Sequence, residues 1–111
     1  MIDWARVAEL REEIGPEDFD EVAELFLIEV SQSITALPDA ARHAGQLQER
    51  MHALKGASLN LGFKALADLC RAGERAAAQG DLQAVRAGEV ARVYEASLAE
   101  FESERYRRFA A

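Results

Sequence analysis

The sequence predicts an all-α protein, an antiparallel up-down-up-down four-helix bundle with a short additional N-terminal helix. Half of its 111 residues are apolar and only two are proline. Ala, Leu, Glu and Arg dominate the composition, and these residues favour helices. Apolar residues also recur at three- and four-residue spacing along four long segments with short connections, which is typical of a bundle. The length predicts a single domain over residues 1–111.

The first three helices are predicted over residues 4–14, 17–37 and 42–60. Asp3 is suited to capping the first helix, and Gly15-Pro16 separates it from the second. Pro38-Asp39 predicts the end of the second helix, because proline cannot donate a backbone hydrogen bond. The stripe of the second helix consists of Phe19, Val22, Ala23, Phe26, Val30, Ser33 and Leu37.

Two apolar residues of the second helix, Leu25 and Ile28, lie off this stripe. They either pack beneath the first helix or form an exposed docking patch. Both interpretations are open at the level of the sequence.

The last two helices are predicted over residues 63–79 and 82–109. Gly80 fits a left-handed stop after the fourth helix, and Asp81 fits the cap of the fifth. Cys70 lies on the apolar stripe of the fourth helix and is interpreted as a small buried residue. A single cysteine forms no intramolecular disulfide, so a reducing compartment, the cytoplasm, is expected.

The charge balance disfavours two classes of partner. Thirteen basic and twenty acidic side chains give a net charge of −7. An acidic surface repels nucleic acids and anionic membranes, so neither is expected as a partner. The basic cluster Arg105, Arg107 and Arg108 is interpreted as a set of cations that complement the dipole at the end of the last helix.

His52 is the residue that points to function. If the third helix is regular, one face gathers five residues that must be buried: Leu47, Met51, Leu54, Ser58 and Leu61. His52 then points roughly 150° away from the centre of that face, toward solvent. An exposed imidazole changes charge near neutral pH, so a neutral nucleophilic nitrogen is available to form a covalent intermediate.

The neighbours of His52 on the same side of the helix are Gln48, Lys55, Gly56 and Leu59. Lys55 can bring its ammonium to a phosphoryl group on the ring. Gly56 costs the helix about 1 kcal/mol relative to Ala, and this suggests that the lack of a side chain gives a partner access to the imidazole. Gln48 and Leu59 are the expected partner contacts, in a modest and transient interface.

Two further titratable residues have plainer interpretations. His43 lies on the opposite side of the helix from His52, so the pair is not a metal site, and His43 is expected to be a solvated side chain. Glu74, one turn after Cys70, is interpreted as a surface side chain near the histidine, and a hydrogen-bonding role there is the alternative.

The tract His52–Gly62, HALKGASLNLG, has the pattern H-x-x-K-G-x-x-x-x-x-G and resembles the signature of the histidine-containing phosphotransfer family. Residues 66–71 and the turn Gly80-Asp81-Leu82 are also similar to that family, and the resemblance covers roughly residues 17–109. It implies a phosphorelay carrier with His52 as phosphoryl acceptor, Lys55 as the cation beside the phosphate and Gly56 as the clearance residue.

The resemblance also implies the partners. These are response-regulator receiver domains, together with a histidine kinase or hybrid kinase. The carrier needs no cofactor of its own, since Mg²⁺ belongs to the receiver, and it has no kinase or phosphatase activity. A helical core completed within one chain makes a monomer the expectation.

Three other functions fit the residues of this sequence less well. A non-catalytic adaptor that binds a receiver or kinase would not need the histidine and the lysine, yet both are present. The dimerising hairpin of a sensor kinase typically has an acidic residue after its histidine, whereas Ala53 follows His52. A di-iron bundle needs Glu-x-x-His on two helices, and only Glu49 and His52 have that spacing.

Overall fold

The computed structural model describes residues 1–109, and over that range the chain is helical with short connections. The helices are α1 (Trp4–Ile14), α2 (Phe19–Ala40), α3 (Ala44–Leu61), α4 (Lys64–Ala78) and α5 (Ala87–Phe109). None of these helices is both long enough and apolar enough to cross a membrane.

The four long helices form the predicted bundle. Helix α2 packs against α3, α3 against α4 and α4 against α5. Helix α5 also contacts α2, which closes the bundle. Short connections make successive helices antiparallel, and the molecule measures 48 × 20 × 20 Å. The largest fully buried side chains are Phe63, Phe101, Leu37, Met51, Leu54, Leu61 and Leu66.

The N-terminal helix α1 packs against α2 and α3 and covers the turn between α3 and α4. The Asp3 carboxylate accepts a hydrogen bond from the Arg6 backbone N–H at 3.1 Å, as predicted for the cap of this helix. The Asp3 N–H donates to the carbonyl of Gly62 at 2.7 Å. Gly62 ends α3 with φ +86°, and a Cβ there would lie 2.8 Å from the Asp3 carbonyl oxygen. This end of the bundle therefore closes tightly only around a glycine.

Helix α2 extends further than predicted. Pro38 lies inside the helix, which continues to Ala40. Pro38 is exposed, so water can satisfy the carbonyl that loses its partner, and buried Leu37 and Ala40 hold the last turn against the core. The predicted stop at residue 37 is therefore wrong by one turn.

The start of α5 is also different from the prediction. Asp81 accepts hydrogen bonds from the backbone of Gln83 at 2.9 Å and of Ala84 at 3.1 Å, but these close a local turn and do not start the helix. Val85 is buried beneath this turn, and α5 begins only at Ala87. Gly80, at φ +82°, has the predicted left-handed conformation.

The interpretation of Arg105 as a cation at a helix end is wrong. Arg107 and Arg108 do lie in the last turn of α5. Arg105 is only 7% exposed, and its guanidinium lies 5.1 Å from the ring centroid of Phe101 and 3.7 Å from a carboxylate oxygen of Asp20. It therefore belongs to the packing between α5 and α2.

The structure excludes one of the two interpretations of Leu25 and Ile28, the apolar residues off the α2 stripe. Leu25 is 61% exposed and Ile28 is 48% exposed, so neither packs beneath α1. Their role in docking stays a prediction.

Candidate functional site

His52 lies in the middle of α3, with its neighbours Met51 and Leu54 buried in the core. These buried residues fix the rotation of the helix about its axis. His52 consequently points outward, and its side chain is 67% exposed. The structure confirms the orientation predicted from the helical wheel.

Glu74 of α4 joins two of the candidate side chains of α3. Its Oε1 lies 2.7 Å from Nδ1 of His52, and its Oε2 accepts a hydrogen bond from Nζ of Lys55 at 2.7 Å. One carboxylate thus bridges the imidazole and the ammonium. The Glu74 and Lys55 side chains are 19% and 22% exposed, so the bridge lies beneath the more exposed ring.

The surroundings of Glu74 keep it ionised. The hydrogen bond from Lys55 is the largest influence and lowers the pKa of the carboxyl group. Burial acts in the opposite direction, but the hydrogen bond to His52 and the positive charges nearby reinforce the lowering. Near neutral pH Glu74 is therefore a carboxylate.

The charge on Glu74 determines which ring nitrogen of His52 carries the proton. An ionised carboxylate can only accept hydrogen bonds, so Nδ1 is the donor in the contact with Glu74. A neutral imidazole with its proton on Nδ1 has its lone pair on Nε2. The arrangement therefore provides a nucleophilic nitrogen on an exposed ring.

The surface around the ring is open. A Cβ built on Gly56 would meet nothing within 4 Å, and the role of Gly56 in access stays a prediction. Gln48 is exposed, and Leu59 is 43% exposed although it is apolar. The structure brings these residues together on the face of α3 that carries His52, and their contact with a partner stays a prediction.

Glu74 is a residue of the site that the sequence did not predict. The favoured interpretation of Glu74 was a surface side chain, whereas the structure shows the hydrogen-bonding alternative. One signal could have found it: Cys70 and Gly73 are both on the buried face of α4, so Glu74 must lie at the edge of that face. The sequence did not indicate that this edge of α4 lies against α3.

The remaining candidate residues, His43 and Cys70, have the exposure predicted for them. His43 is exposed, and its side chain makes no capping hydrogen bond at the start of α3. Burial raises the pKa of the Cys70 thiol to about 12, so it stays protonated and unreactive. Across residues 1–109, no three His, Cys, Asp or Glu side chains are grouped so that they could hold a metal ion.

Fold and site together define a class of protein, a helical bundle that presents a hydrogen-bonded imidazole on its surface. A sequence model of the Hpt domain family matches residues 5–104, and the chain belongs to that family. The fold is similar to the crystal structure of histidine-containing phosphotransfer protein B (HptB) from Pseudomonas aeruginosa PAO1, with a TM-score of 0.84. The two chains are 25% identical, over 96% of this chain and 95% of that one. A search of curated proteins found no match.

Membership of this family confirms the resemblance stated from the sequence, and the bundle confirms the predicted fold. It assigns the chain a role in histidine phosphotransfer within two-component signalling. Proteins of this family act as phosphotransfer carriers between kinases and receiver domains.

Proposed function

We propose that His52 is the phosphoryl acceptor and that Nε2 is the atom that carries the group. The observation that supports this is the 2.7 Å contact between Nδ1 and Glu74 on a ring that is 67% exposed. The contact keeps the ring proton on Nδ1. The lone pair is then on Nε2, and the exposed ring presents it to solvent. A surface histidine without such an acceptor would distribute its proton between both nitrogens.

The transfer step does not require a proton to leave the ring. The Nε2 lone pair attacks the phosphorus of an aspartyl phosphate on a receiver domain, and an N–P bond forms. The P–O bond to the aspartate breaks, and the aspartate carboxylate departs with the electron pair. The ring keeps its proton on Nδ1 and gains positive charge, which the Glu74 carboxylate stabilises at 2.7 Å. Reversal of the same step delivers the group to a second receiver aspartate.

In this proposal, two neighbours of His52 assist the phosphoryl transfer. Lys55 is one turn from His52, and its ammonium compensates part of the charge that the phosphoryl group brings. Gly56 gives the receiver the clearance to place its aspartate against the ring, because no side chain projects there. Gln48 and Leu59 contact the receiver around this opening.

The carrier requires only the side chains described above. Mg²⁺ is supplied by the receiver, and a kinase or hybrid kinase is the original phosphoryl donor. Because the core is completed within one chain, the carrier acts as a monomer. The cytoplasm is its proposed location, since the single cysteine forms no intramolecular disulfide.

The test uses a panel of purified receiver domains, each carrying radiolabelled phosphate on its aspartate. The wild-type chain should acquire label that is labile to acid and stable to base, and His52→Gln should acquire none. His43→Gln is the matched control, because His43 is the other histidine of the chain and is also exposed. Label on His52→Gln, or no label on the wild type from any receiver that binds it, would contradict the proposal and favour a non-catalytic adaptor.

A further inference from the structure

Gly73 lies beside the functional contact and has no functional side chain of its own. It is buried on α4, immediately before Glu74, and it faces Met51, which immediately precedes His52. The two residues that form the functional contact are therefore each adjacent to a residue of this buried contact. The distance between α3 and α4 at Gly73 and Met51 is therefore linked to the length of the hydrogen bond between Glu74 and His52.

The space above Gly73 is filled by the Met51 side chain. A Cβ built on Gly73 would lie 2.9 Å from Cε, 3.0 Å from Sδ and 3.3 Å from Cγ of Met51. Three consecutive atoms thus occupy the position of a side chain. Met51 is 0% exposed, so it has no solvent to move into.

The buried residues of α4 one turn on either side of Gly73 are also small. These are Cys70 and Ala77, whereas the larger buried Leu66 lies two turns before Gly73. Small side chains let two helices approach closely, because the distance between helix axes depends on the residues at the contact. Glycine is the least favourable of them for a helix, so its presence here has a cost that close approach explains.

We infer that Gly73 is a positioning residue, which with Met51 sets the spacing of α3 and α4 so that Glu74 reaches Nδ1 of His52. This inference rests on the proposed function of His52. Gly73 touches neither the ring nor the phosphoryl group, and it acts through Glu74. The pairing of a buried methionine with a glycine thus fixes the length of a hydrogen bond at the surface.

The required displacement is large enough to affect the contact. Carbon atoms in contact prefer about 3.5 Å or more, so a Cβ at Gly73 needs relief of about 0.6 Å from Cε of Met51. If the helices supply most of it, the 2.7 Å contact between His52 and Glu74 approaches the limit of about 3.2 Å for such hydrogen bonds. Gly73→Ala should therefore loosen the contact without unfolding the bundle, since alanine favours the helix.

The experiment measures the His52 ring and the transfer rate separately. Long-range proton–nitrogen NMR of the ring reports which nitrogen carries the proton, and Gly73→Ala should shift the population from the Nδ1–H form toward a mixture. The rate of transfer from a phosphorylated receiver should fall by less than it does when Glu74 is removed, on the order of threefold, because a misplacement below 1 Å weakens the contact without abolishing it. Gly45→Ala is the matched control, because Gly45 is in α3 and a Cβ there meets nothing within 4 Å.

A second substitution tests the mechanism. Met51→Leu removes Cε, the atom nearest to the new Cβ, and roughly keeps the core volume. Added to Gly73→Ala, it should restore both the ring spectrum and most of the transfer rate, which a general loss of stability would not do. A wild-type ring spectrum in Gly73→Ala would overturn the inference, as would a slow variant that Met51→Leu fails to rescue.

The outcome is distinguishable from failure of the proposed function. If the wild type takes no label on His52, the proposed function fails, and the inference fails with it as a statement about transfer. If the wild type is labelled and Gly73→Ala has its rate and ring spectrum, only the positioning role is lost.

Discussion

Glu74→Ala removes the acceptor of two hydrogen bonds at the candidate site, those from His52 and Lys55. The carboxylate is the group that holds the ring proton on Nδ1. Without it, the proton distributes between both nitrogens, and the positive charge that develops on the ring during transfer loses its partner. We therefore expect slower phosphotransfer with an intact fold.

The size of the effect follows from the exposure of the ring. A hydrogen bond to a charged group contributes about 1.5–3 kcal/mol, and in a fully buried catalytic triad the loss of the carboxylate costs on the order of 10⁴ in rate. The His52 side chain is 67% exposed, so water can replace Glu74 as the acceptor and recover part of this. We expect a net loss of about 1.4 kcal/mol, which corresponds to roughly tenfold in the transfer rate.

The assay is single-turnover transfer from a labelled receiver, with the His52 ring nitrogens followed by NMR in parallel. Glu95→Ala is the matched control, because Glu95 is an exposed glutamate of α5. Glu74→Gln should be intermediate, since its carbonyl can accept from Nδ1 but its amide then faces the Lys55 ammonium. A Glu74→Ala variant that transfers within about twofold of wild type and keeps the Nδ1–H form would refute the reasoning.

Three further outcomes are expected. The pKa of Glu74 is lowered in the folded state, so the ionised carboxylate stabilises the fold. This contribution to the free energy of unfolding should be fully present above the unfolded pKa of about 4.3 and be lost as the pH falls through the lower folded pKa. Urea unfolding of wild type and Glu74→Gln at a series of pH values measures the difference. Gly62→Ala should cost about 2–4 kcal/mol, because a Cβ at φ +86° would lie 2.8 Å from the Asp3 carbonyl oxygen. Gly80→Ala, at φ +82° with nothing within 4 Å, should cost only about 1 kcal/mol in the same urea titration, and equal losses would contradict the steric argument. Gly56→Leu should leave the fold as stable or up to about 1 kcal/mol more stable while receiver transfer falls, and unchanged transfer would remove Gly56 from the site.

Much of the fold could be predicted because helical periodicity is a local property. The stripe of α3 placed Met51 and Leu54 inside and His52 outside without knowledge of any other helix. The errors occurred where tertiary contacts decide the outcome. Burial of Leu37 and Ala40 carries α2 through Pro38, and burial of Val85 delays the start of α5. Neither contact has a local signature.

The site divides in the same way. His52, Lys55 and Gly56 lie on one helix, so their spacing alone predicted a shared face. Glu74 comes from another helix, and its place in the site depends on how closely α3 and α4 approach. That distance depends on the pairing of side chains across the interface, which no periodicity in a single segment encodes.

Under the proposed function, the bridge also explains how one site can both accept and release a phosphoryl group. A lysine free to contact the phosphate would stabilise the phosphorylated state and slow its release. In the unphosphorylated site the Lys55 ammonium is 2.7 Å from the Glu74 carboxylate, so any new contact with phosphate must compete with an existing ion pair. The gain in free energy on phosphorylation is smaller by what that competition costs. A carrier between two aspartates needs such a balance, because a group that is held too strongly at His52 would not be passed on.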